Sequence, residues 1–311
     1  MLYDVIIVGG GPAGLSCALI LGRCQRSIIV FDAGNPRNKS SHALHAFITR
    51  DGTSPIDFLI SAREEVKKYG VVLRHENIVT AHKIPEGFNI ITESGLSFQS
   101  KKLVLATGVQ DRLPLIPNIE KFYSVSVHHC PYCDGWEERN KPMGIYALKR
   151  GGAIELSITM KTWSNDITLF TRGVKGFSKE DAKLLTEHGI KLHNGKITGV
   201  EGNDGVLDHI IMSNHEKVPI KSLFFSTGNT QHSTLAGQLE CECTQKGAIN
   251  YNNTQETNVP GLYVAGDMAK DMQLIIVAAA EGAKAGVVIN KVLNQEKHKA
   301  LSTITEEPLQ S

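Results

Sequence analysis

Short apolar runs alternate along the chain with segments of helical periodicity. Residues 3–8 form a β-branched run, which predicts a fully buried parallel strand. A helix is predicted over 15–23 and a second apolar strand over 27–31. The order strand, helix, strand within about 30 residues is typical of a βαβ unit, in which the two strands lie parallel.

The same order returns in the middle of the chain. A strand is predicted over 142–148, a helix over 153–163 and a strand over 167–170. The tail, 294–311, is polar and is predicted to be loose. Two βαβ patterns predict an α/β protein with two domains. The remaining predicted elements are helices at 56–69, 178–188 (capped by Ser178 and Gly189) and 273–293, and strands at 71–75, 88–92, 103–108, 192–200 and 209–213.

Composition narrows the classes of protein to which the chain can belong. The 311 residues are 41% hydrophobic, enough for two domain cores, and the formal net charge of +1 favours neither a nucleic-acid groove nor a polybasic membrane patch. The apolar runs are far shorter than the ~18 residues of a membrane span, and we expect no secretory leader before the first strand. Six cysteines do not form a disulfide framework in a chain of this length, and Cys17 and Cys24 are predicted to be small core residues. We therefore expect a cytoplasmic protein that binds neither nucleic acid nor membrane.

A glycine-rich turn links the first predicted strand to its helix. Gly9, Gly11 and Gly14 fit the pattern G-x-G-x-x-G, and Asp32 ends the second strand. In such a turn the first glycine permits the tight bend, the second lets the backbone approach a pyrophosphate, and the third lets helix and strand pack closely. An acid about 20 residues further on can accept hydrogen bonds from ribose hydroxyls. The complete arrangement predicts a dinucleotide site.

Three predicted strands end in small residues that include glycine. The run over 103–108 ends in Ala-Thr-Gly, the run over 224–228 in Ser-Thr-Gly, and the run over 262–267 in Ala-Gly-Asp. A single end of this kind is ordinary. Three of them in a chain with a dinucleotide site predict that the backbone approaches a large cofactor repeatedly.

Cys130 and Cys133 stand two residues apart, with Asp134 directly after them. Such a pair can close a disulfide ring, bind a metal or remain an idle pair of thiols. A zinc site would need two further ligands, which Cys241 and Cys243 could supply, although C-x-C is poor zinc spacing. The dinucleotide site favours the redox interpretation, and we expect no metal.

With these motifs the chain resembles, over nearly its whole length, the low-molecular-weight thioredoxin reductase family of flavin-dependent disulfide oxidoreductases. The resemblance is carried by the glycine pattern, by Ala-Thr-Gly at 106–108, by Cys-Pro-Tyr-Cys-Asp-Gly at 130–135 and by 257–267. The last stretch is similar to the second FAD motif of that family.

The resemblance implies an α/β fold of two Rossmann-like, three-layer ββα dinucleotide-binding domains, the second inserted in the first. The first domain, 1–114 and 245–311, would bind FAD, and the second, 115–244, would be the NAD(P)H-type domain that carries the cysteine pair. The homodimer of the family is implied as well. The residues implied for FAD are Gly9, Gly11, Pro12, Ala13, Gly14, Asp32, Ala106, Thr107, Gly108, Gly266, Asp267 (on the ribityl chain), Gln273 and Leu274.

In the family the second cysteine of the pair faces the flavin, and the first exchanges with substrate. The resemblance therefore assigns Cys133 to the flavin and Cys130 to exchange with a thioredoxin-like protein or a small dithiol or disulfide. Asp134 is the expected acid–base group, because exchange needs a thiolate attacker and a protonated leaving group. His128 and His129 flank the pair. His129 is a further catalytic candidate, although at least one of the two histidines could be a solvated loop residue.

The loop that opens the second βαβ unit departs from the pattern of the family. It contains Gly151 and Gly152 without a full G-x-G-x-x-G, and only Arg172 and Lys175 remain of the arginine cluster that binds the 2′-phosphate of NADPH. Gly151, Gly152 and Arg172 are the candidates for a second dinucleotide. Whether that dinucleotide is NADPH stays open.

The direction of electron flow also stays open at this stage. The stretches 45–52 and 135–137 are similar to a side branch of the family that includes gliotoxin-type dithiol oxidases. We favour an FAD-dependent thiol–disulfide oxidoreductase that passes electrons between flavin, the cysteine pair and an external dithiol or disulfide. The alternatives are an oxygen-dependent dithiol oxidase, a reductase that takes electrons from a donor such as ferredoxin, and a non-catalytic flavin-binding sensor.

Overall fold

The computed structural model describes residues 2–269 and 272–305, which form two compact units. Unit 1 contains the chain up to Arg37, Ile56–Gln110, and the chain from Gln231 onward. Unit 2 contains Asn38–Pro55 and Asp111–Thr230. Unit 2 is thus inserted twice into the sequence of unit 1.

The α-helices of the described residues belong to both units, and one short 3₁₀ turn, Ile119–Lys121, lies in unit 2. They are α1 Pro12–Arg23, α2 Pro55–Lys67, α3 Pro131–Asp134, α4 Arg150–Met160, α5 Lys179–Glu187, α6 Leu235–Gln238 and α7 Ile275–Thr305.

The strands of the described residues form four sheets. They are β1 Leu2–Val8, β2 Ile28–Phe31, β3 Val72–Arg74, β4 Ile78–Ile84, β5 Gly87–Thr92, β6 Ser97–Leu105, β7 Val109–Asp111, β8 Val127–His128, β9 Met143–Ala147, β10 Ile167–Phe170, β11 Lys191–His193, β12 Ile197–Asn203, β13 Val206–Met212, β14 Lys217–Pro219, β15 Ser222–Ser226, β16 Asn229–Gln231 and β17 Leu262–Val264.

Unit 1 is built on a seven-stranded sheet in the order β3-β2-β1-β6-β5-β4, with β17 paired to β6. Strands β3, β2, β1, β6 and β17 run parallel, while β5 and β4 continue from β6 as an antiparallel pair. Side chains alternate across β1, so Ile6 and Val8 belong to one buried cluster while Val5 and Ile7 belong to the other. The second cluster also contains buried residues of α1 and α7, such as Leu21.

Small residues let α1 and α7 approach closely. A Cβ on Gly282 would overlap the carbonyl of Ala13, and one on Gly286 would lie 3.0 Å from the carbonyl oxygen of Cys17.

Cys17 is fully buried, and burial raises the pKa of its thiol to about 12, as expected for a small core residue. The same expectation for Cys24 is wrong, because Cys24 follows the last turn of α1 and is exposed.

Unit 2 repeats the strand–helix–strand order. Its five-stranded parallel sheet has the order β11-β10-β9-β15-β8, and α4 connects β9 to β10. Helices α4 and α5 cover one face of this sheet, and the antiparallel sheet β12-β13-β14 contributes to the core on the other. The predicted fold class is therefore confirmed: the protein is α/β, with two Rossmann-like units, the second inserted in the first.

The predicted caps of α5 are confirmed, since Ser178 accepts a hydrogen bond from the backbone N–H of Asp181 and Gly189 has a φ of +72°.

The prediction of a loose tail from 294 is wrong as far as 305, because α7 continues to Thr305. One cause is the pairing of Lys102 Nζ with Glu296 Oε1 at 2.6 Å, which attaches this polar stretch to unit 1. The rest of the tail, 306–311, lies outside the described residues. No helix within 2–269 and 272–305 has both the length and the apolar character needed to cross a bilayer.

Candidate functional site

A disulfide joins Cys130 to Cys133 at the start of α3. Cys130 has an extended backbone and caps this four-residue helix, with its sulfur accepting the backbone N–H of Cys133 at 3.1 Å. Pro131 follows as the first helical residue, where its fixed φ favours the turn and its missing N–H costs nothing. Both sulfurs are bonded to each other, so neither is a thiolate that could ligate zinc together with Cys241 or Cys243.

His128 lies directly beside Asp134. Its Nδ1 is 3.3 Å from Asp134 Oδ1, and its ring lies 5.2 Å from the ring of Phe224 on the neighbouring strand. Only 4% of His128 is exposed, so this histidine is not a solvated loop residue. The predicted acid–base group Asp134 thus has an imidazole as its neighbour.

His129 belongs to a second cluster. Its Nδ1 lies 3.7 Å from Asp111 Oδ2 and 3.3 Å from the hydroxyl of Tyr123, which itself donates to Asp111 at 2.8 Å. The rings of Tyr123 and His129 both pack against Phe225. About a third of the His129 side chain is exposed. The residue before Cys130 is therefore held by a carboxylate and a phenol while part of its ring stays accessible.

A third histidine reaches the same segment from the stretch Asn38–Pro55 of unit 2. His45 Nε2 lies 3.6 Å from Glu137 Oε1, and its Nδ1 lies 3.4 Å from Asp51 Oδ1. Asp51 is oriented by the backbone N–H of Ala46, which donates to Oδ1 at 2.9 Å. Three histidine–carboxylate pairs therefore lie on or next to the segment that contains the disulfide.

Aromatic side chains line the exposed side of α3. Tyr132 is 66% exposed and Trp136 is 64% exposed, which is unusual for side chains of this size. Tyr132 makes an edge contact with Trp163 at 5.9 Å, and the guanidinium of Arg139 lies 4.0 Å over the Trp136 ring. The disulfide is thus bordered by apolar surface.

In unit 1, the glycine pattern adopts the backbone that its spacing predicts. Gly9 has a φ of +111°, and a Cβ there would overlap the carbonyl of Ala106. A Cβ on Gly14 would overlap the carbonyl of Gly9, so helix and strand need this glycine to pack. A Cβ on Gly11 would meet nothing within 4 Å, and Gly11 is the extended residue before Pro12 and the α1 N-terminus. An unobstructed helix N-terminus fits a pyrophosphate.

The carboxyl ends of β1, β2, β6 and β17 bring most of the predicted FAD residues together. Asp32 follows β2, and a Cβ on Gly10 would lie 2.6 Å from its carboxylate. Asp32 Oδ2 also accepts a hydrogen bond from Arg63 at 2.8 Å. The stretch 106–108 follows β6, and 265–267 follows β17, where a Cβ on Gly266 would lie 2.9 Å from Ala13. Ligands of open α/β sheets bind at this edge.

Asp267 is held from two sides. Arg37 Nη1 donates to Asp267 Oδ2 at 2.7 Å and to Gln273 Oε1 at 3.0 Å, while the Gln273 amide donates to the backbone carbonyl of Asp267 at 3.1 Å. Leu274 lies just before α7, and its carbonyl accepts the N–H of Ala278. The structure thus brings Asp267 and Gln273 into contact, as two residues of one predicted site.

The second dinucleotide candidates lie at the start of α4 and after β10. A Cβ on Gly151 would meet nothing within 4 Å, whereas one on Gly152 would overlap the Ser226 side chain. Arg150 donates to both oxygens of Asp181, at 2.8 and 2.7 Å. This ion pair, together with the N–H of Ser178, lowers the pKa of Asp181 to about 2. Arg172 is exposed, two residues beyond the end of β10.

Several contacts of the two sites were not predicted from the sequence. The carboxyl group of Glu281 is buried in α7 and accepts from the N–H of Gly266 and the hydroxyl of Tyr251, both at 2.7 Å. A lone acid in a run of Ala and Gly was the available signal for Glu281. Asp111 carried no such signal, because its partner His129 lies elsewhere in the sequence, and Glu137 was named only as part of the stretch 135–137.

The chain is similar in sequence to known disulfide oxidoreductases. A sequence model described as "Pyridine nucleotide-disulphide oxidoreductase" matches residues 3–282. The chain is 28% identical to a "Probable thioredoxin reductase" of Arthroderma benhamiae over 96% of its own length and 82% of the relative. It is also 28% identical to "Thioredoxin reductase tcpT" of Claviceps purpurea over 92% of each chain.

Solved structures agree with this comparison. A putative thioredoxin reductase, TrxB, from Bacillus anthracis superposes with a TM-score of 0.90 at 30% identity, over 95% of this chain and 99% of that one. The crystal structure of HlmI superposes with a TM-score of 0.92 at 26% identity, over 98% and 96% of the two chains. The likeness covers both units of the fold.

Proposed function

Because this chain belongs to the pyridine nucleotide-disulphide oxidoreductase family, we propose that it exchanges electrons between bound FAD and an external disulfide or dithiol through Cys130 and Cys133. The function is thioredoxin reductase-like, and the protein is an enzyme. One observation carries the assignment of the site: the disulfide between Cys130 and Cys133 lies in the segment 128–137, to which each of three histidine–carboxylate pairs contributes at least one residue.

FAD is the cofactor of this family, and the residues of unit 1 fit it. The N-terminus of α1 at Gly11 is unobstructed and would hold the pyrophosphate. The carboxylate of Asp32 would accept from ribose hydroxyls, and Asp267 would hold the ribityl chain. Bound FAD supplies a two-electron carrier, and this chain supplies the cysteine pair that exchanges those electrons with substrate.

The exchange step balances with the residues of α3. Reduced Cys130 transfers its proton to Asp134 and attacks one sulfur of the substrate disulfide, forming a mixed disulfide. Asp134 then gives that proton to the departing substrate thiolate. Cys133 loses its own proton, attacks Cys130 and restores the internal disulfide, and the second substrate sulfur leaves as a thiol. One disulfide is reduced and one is formed, and two electrons and two protons pass to the substrate.

The second unit supports a nicotinamide dinucleotide as the electron donor. The open backbone at Gly151 would accept a pyrophosphate at the start of α4, as Gly11 would in unit 1. Gly152 packs against Ser226 and so serves the helix–strand contact. Arg172 follows β10 near the place where Asp32 follows β2, and an arginine there favours the 2′-phosphate of NADPH over the hydroxyl of NADH.

The partner on the substrate side is a dithiol or disulfide. The exposed Tyr132 and Trp136 favour a thioredoxin-like protein or an apolar small molecule, since both would cover these rings on docking. Following the resemblance to the thioredoxin reductases, we also propose a homodimer, which sedimentation equilibrium of the FAD-loaded chain would test.

The deciding experiment is an anaerobic titration of the FAD-loaded protein with NADPH, NADH and dithiothreitol in parallel. Rapid bleaching of the flavin by NADPH, followed by recovery of the yellow colour on addition of a disulfide, is the expected result. If dithiothreitol bleaches the flavin and neither NADPH nor NADH does, the reductase direction is overturned. A Cys130→Ser, Cys133→Ser double variant that still passes electrons to disulfides would overturn the role of the pair.

A further inference from the structure

We infer that His128 is a positioning residue, which orients Asp134 for proton transfer at the cysteine pair. The inference rests on the proposed function and deepens it. The contact between His128 and Asp134 lies entirely within unit 2.

The position of His128 in the fold is fixed by its strand. His128 is the last residue of β8 and pairs with Phe224 of β15 in parallel register, so its ring is packed against the sheet. With 4% of the residue exposed, the ring has little freedom to turn away. Its Nδ1 lies 3.3 Å from Asp134 Oδ1, slightly beyond a typical N–H···O hydrogen bond. Hydrogen bonds of a catalytic site are often this long in the free enzyme and tighten in the complex with substrate.

The other ring nitrogen decides the tautomer. Nε2 of His128 is buried and has no hydrogen-bond partner among the described residues. A proton on Nε2 would be buried there without an acceptor, which is costly. The tautomer with its proton on Nδ1 directs that donor at Asp134. The surroundings of the ring therefore favour the Nδ1 tautomer.

This arrangement divides the work between the two oxygens of Asp134. Oδ1 is the oxygen that faces His128, which restricts the side-chain rotamer and leaves Oδ2 as the atom that takes and returns a proton. The thiol of the attacking cysteine gives its proton to Oδ2, and the substrate thiolate receives it. His128 keeps its own proton throughout, and no electrons pass through the ring. His129 does not share this role, because its carboxylate neighbour is Asp111.

A double-mutant cycle separates this role from a general structural one. The variants are His128→Phe, Asp134→Asn and the pair together, each loaded with FAD. They are assayed for reduction of 5,5′-dithiobis(2-nitrobenzoate) with the donor that bleaches the wild type. We expect His128→Phe to lower kcat about tenfold with little change in KM, within the range of acid–base effects. The same change should cost no more than about twofold when Asp134→Asn is already present, because the two residues act as a unit.

Rescue by a conservative variant provides the second readout. In His128→Asn the introduced side-chain amide nitrogen can occupy the position of the imidazole Nδ1, so this variant should recover most of kcat while His128→Phe does not. Equal losses in His128→Asn and His128→Phe, or losses that multiply with that of Asp134→Asn, would overturn the inference. Thermal melts of all variants establish that each one folds.

A cofactor-independent readout keeps the two proposals apart. The reduced chain without FAD is alkylated with iodoacetamide at pH 7, and the rates at Cys130 and Cys133 are followed by mass spectrometry. His128→Phe should shift these alkylation rates in the same direction as Asp134→Asn does. The double variant should show the same rates as Asp134→Asn alone. If the wild type reduces no disulfide with any donor, the proposed function fails, and the alkylation cycle still decides the role of His128. Alkylation rates that change in Asp134→Asn but not in His128→Phe would overturn the positioning role of His128.

Discussion

The carboxyl group of Glu281 accepts a hydrogen bond from the backbone N–H of Gly266 at 2.7 Å. Gly266 has a φ of +81° and is followed directly by Asp267, the residue that the family resemblance assigns to the ribityl chain of FAD. Glu281 also accepts the hydroxyl of Tyr251 through its other oxygen. A buried acid on α7 thus anchors the stretch 265–267, which follows β17.

Replacing Glu281 should therefore weaken FAD binding without removing any residue that we assign to the cofactor. In Glu281→Ala the N–H of Gly266 loses its acceptor in a buried place, which costs about 1–3 kcal/mol. We expect the Kd of FAD to rise roughly tenfold in a titration of the apoprotein followed by flavin fluorescence. Tyr251→Phe is the matched control: it keeps the bond to Gly266 and should raise the Kd less than about threefold. Equal effects of the two variants would show that the loop is not held through Gly266.

Two alanine substitutions in the glycine-rich turn should have opposite consequences. Gly11→Ala adds a methyl group that meets nothing within 4 Å, at a φ of −81° that alanine adopts freely. The apoprotein should melt as the wild type does, while FAD affinity falls because the methyl group blocks the approach of the pyrophosphate. In Gly14→Ala the methyl group would overlap the carbonyl of Gly9, and overpacking of this kind costs about 1–3 kcal/mol.

The comparison needs both thermal melts of the apoproteins and FAD titrations. A stable Gly11→Ala that binds FAD normally would contradict the placement of the pyrophosphate. An apoprotein of Gly14→Ala that melts like the wild type would contradict the close packing of α1 on β1.

The sequence predicted the parts of this molecule that depend on local pattern. Both βαβ units follow from apolar runs and helical periodicity, and the backbone of Gly9, Gly11 and Gly14 follows from their spacing. Strand β4, Ile78–Ile84, was missed because polar residues such as His82 and Lys83 interrupt its apolar pattern.

Partners that lie far apart in the chain could not be predicted in this way. His45 meets Glu137, and Lys102 meets Glu296, only because the tertiary fold brings distant stretches together. The polar end of α7 looks like a loose tail from its composition, since helix stability there depends on tertiary packing and pairing. The disulfide was therefore predictable from its two cysteines, whereas the histidine–carboxylate pairs around it were not.

The ion pair of Arg150 and Asp181 should make part of the stability of unit 2 dependent on acid. The folded pKa of Asp181 is about 2, below the ordinary value of 3.8. Because the pKa is lowered by folding, this contribution is complete above about pH 4 and is lost as the pH falls towards 2. Asp181→Asn should melt below the wild type at pH 7, and the difference should shrink steadily as the pH falls from about 4 towards 2.

Arg150→Met serves as the control for this prediction, because it removes the cation and keeps the contact of Asp181 with the N–H of Ser178. Its melting temperature at pH 7 should lie between those of the wild type and Asp181→Asn. A difference between wild type and Asp181→Asn that stays constant from pH 7 to about pH 2.5 would contradict the assigned pKa.

Arg172 should decide between the two nicotinamide dinucleotides. In unit 1 the residue after the second strand is Asp32, which suits the ribose hydroxyls of FAD. In unit 2 the chain continues from Phe170 through Thr171 to Arg172, so no acid stands at the corresponding place. Arg172→Ala should raise the KM for NADPH about tenfold and leave the KM for NADH unchanged, because only NADPH carries the 2′-phosphate. Lys183→Ala removes another exposed cation, on α5, and should alter neither value. If Arg172→Ala changes both KM values equally, Arg172 does not contact the 2′-phosphate, and the donor preference must come from elsewhere in unit 2.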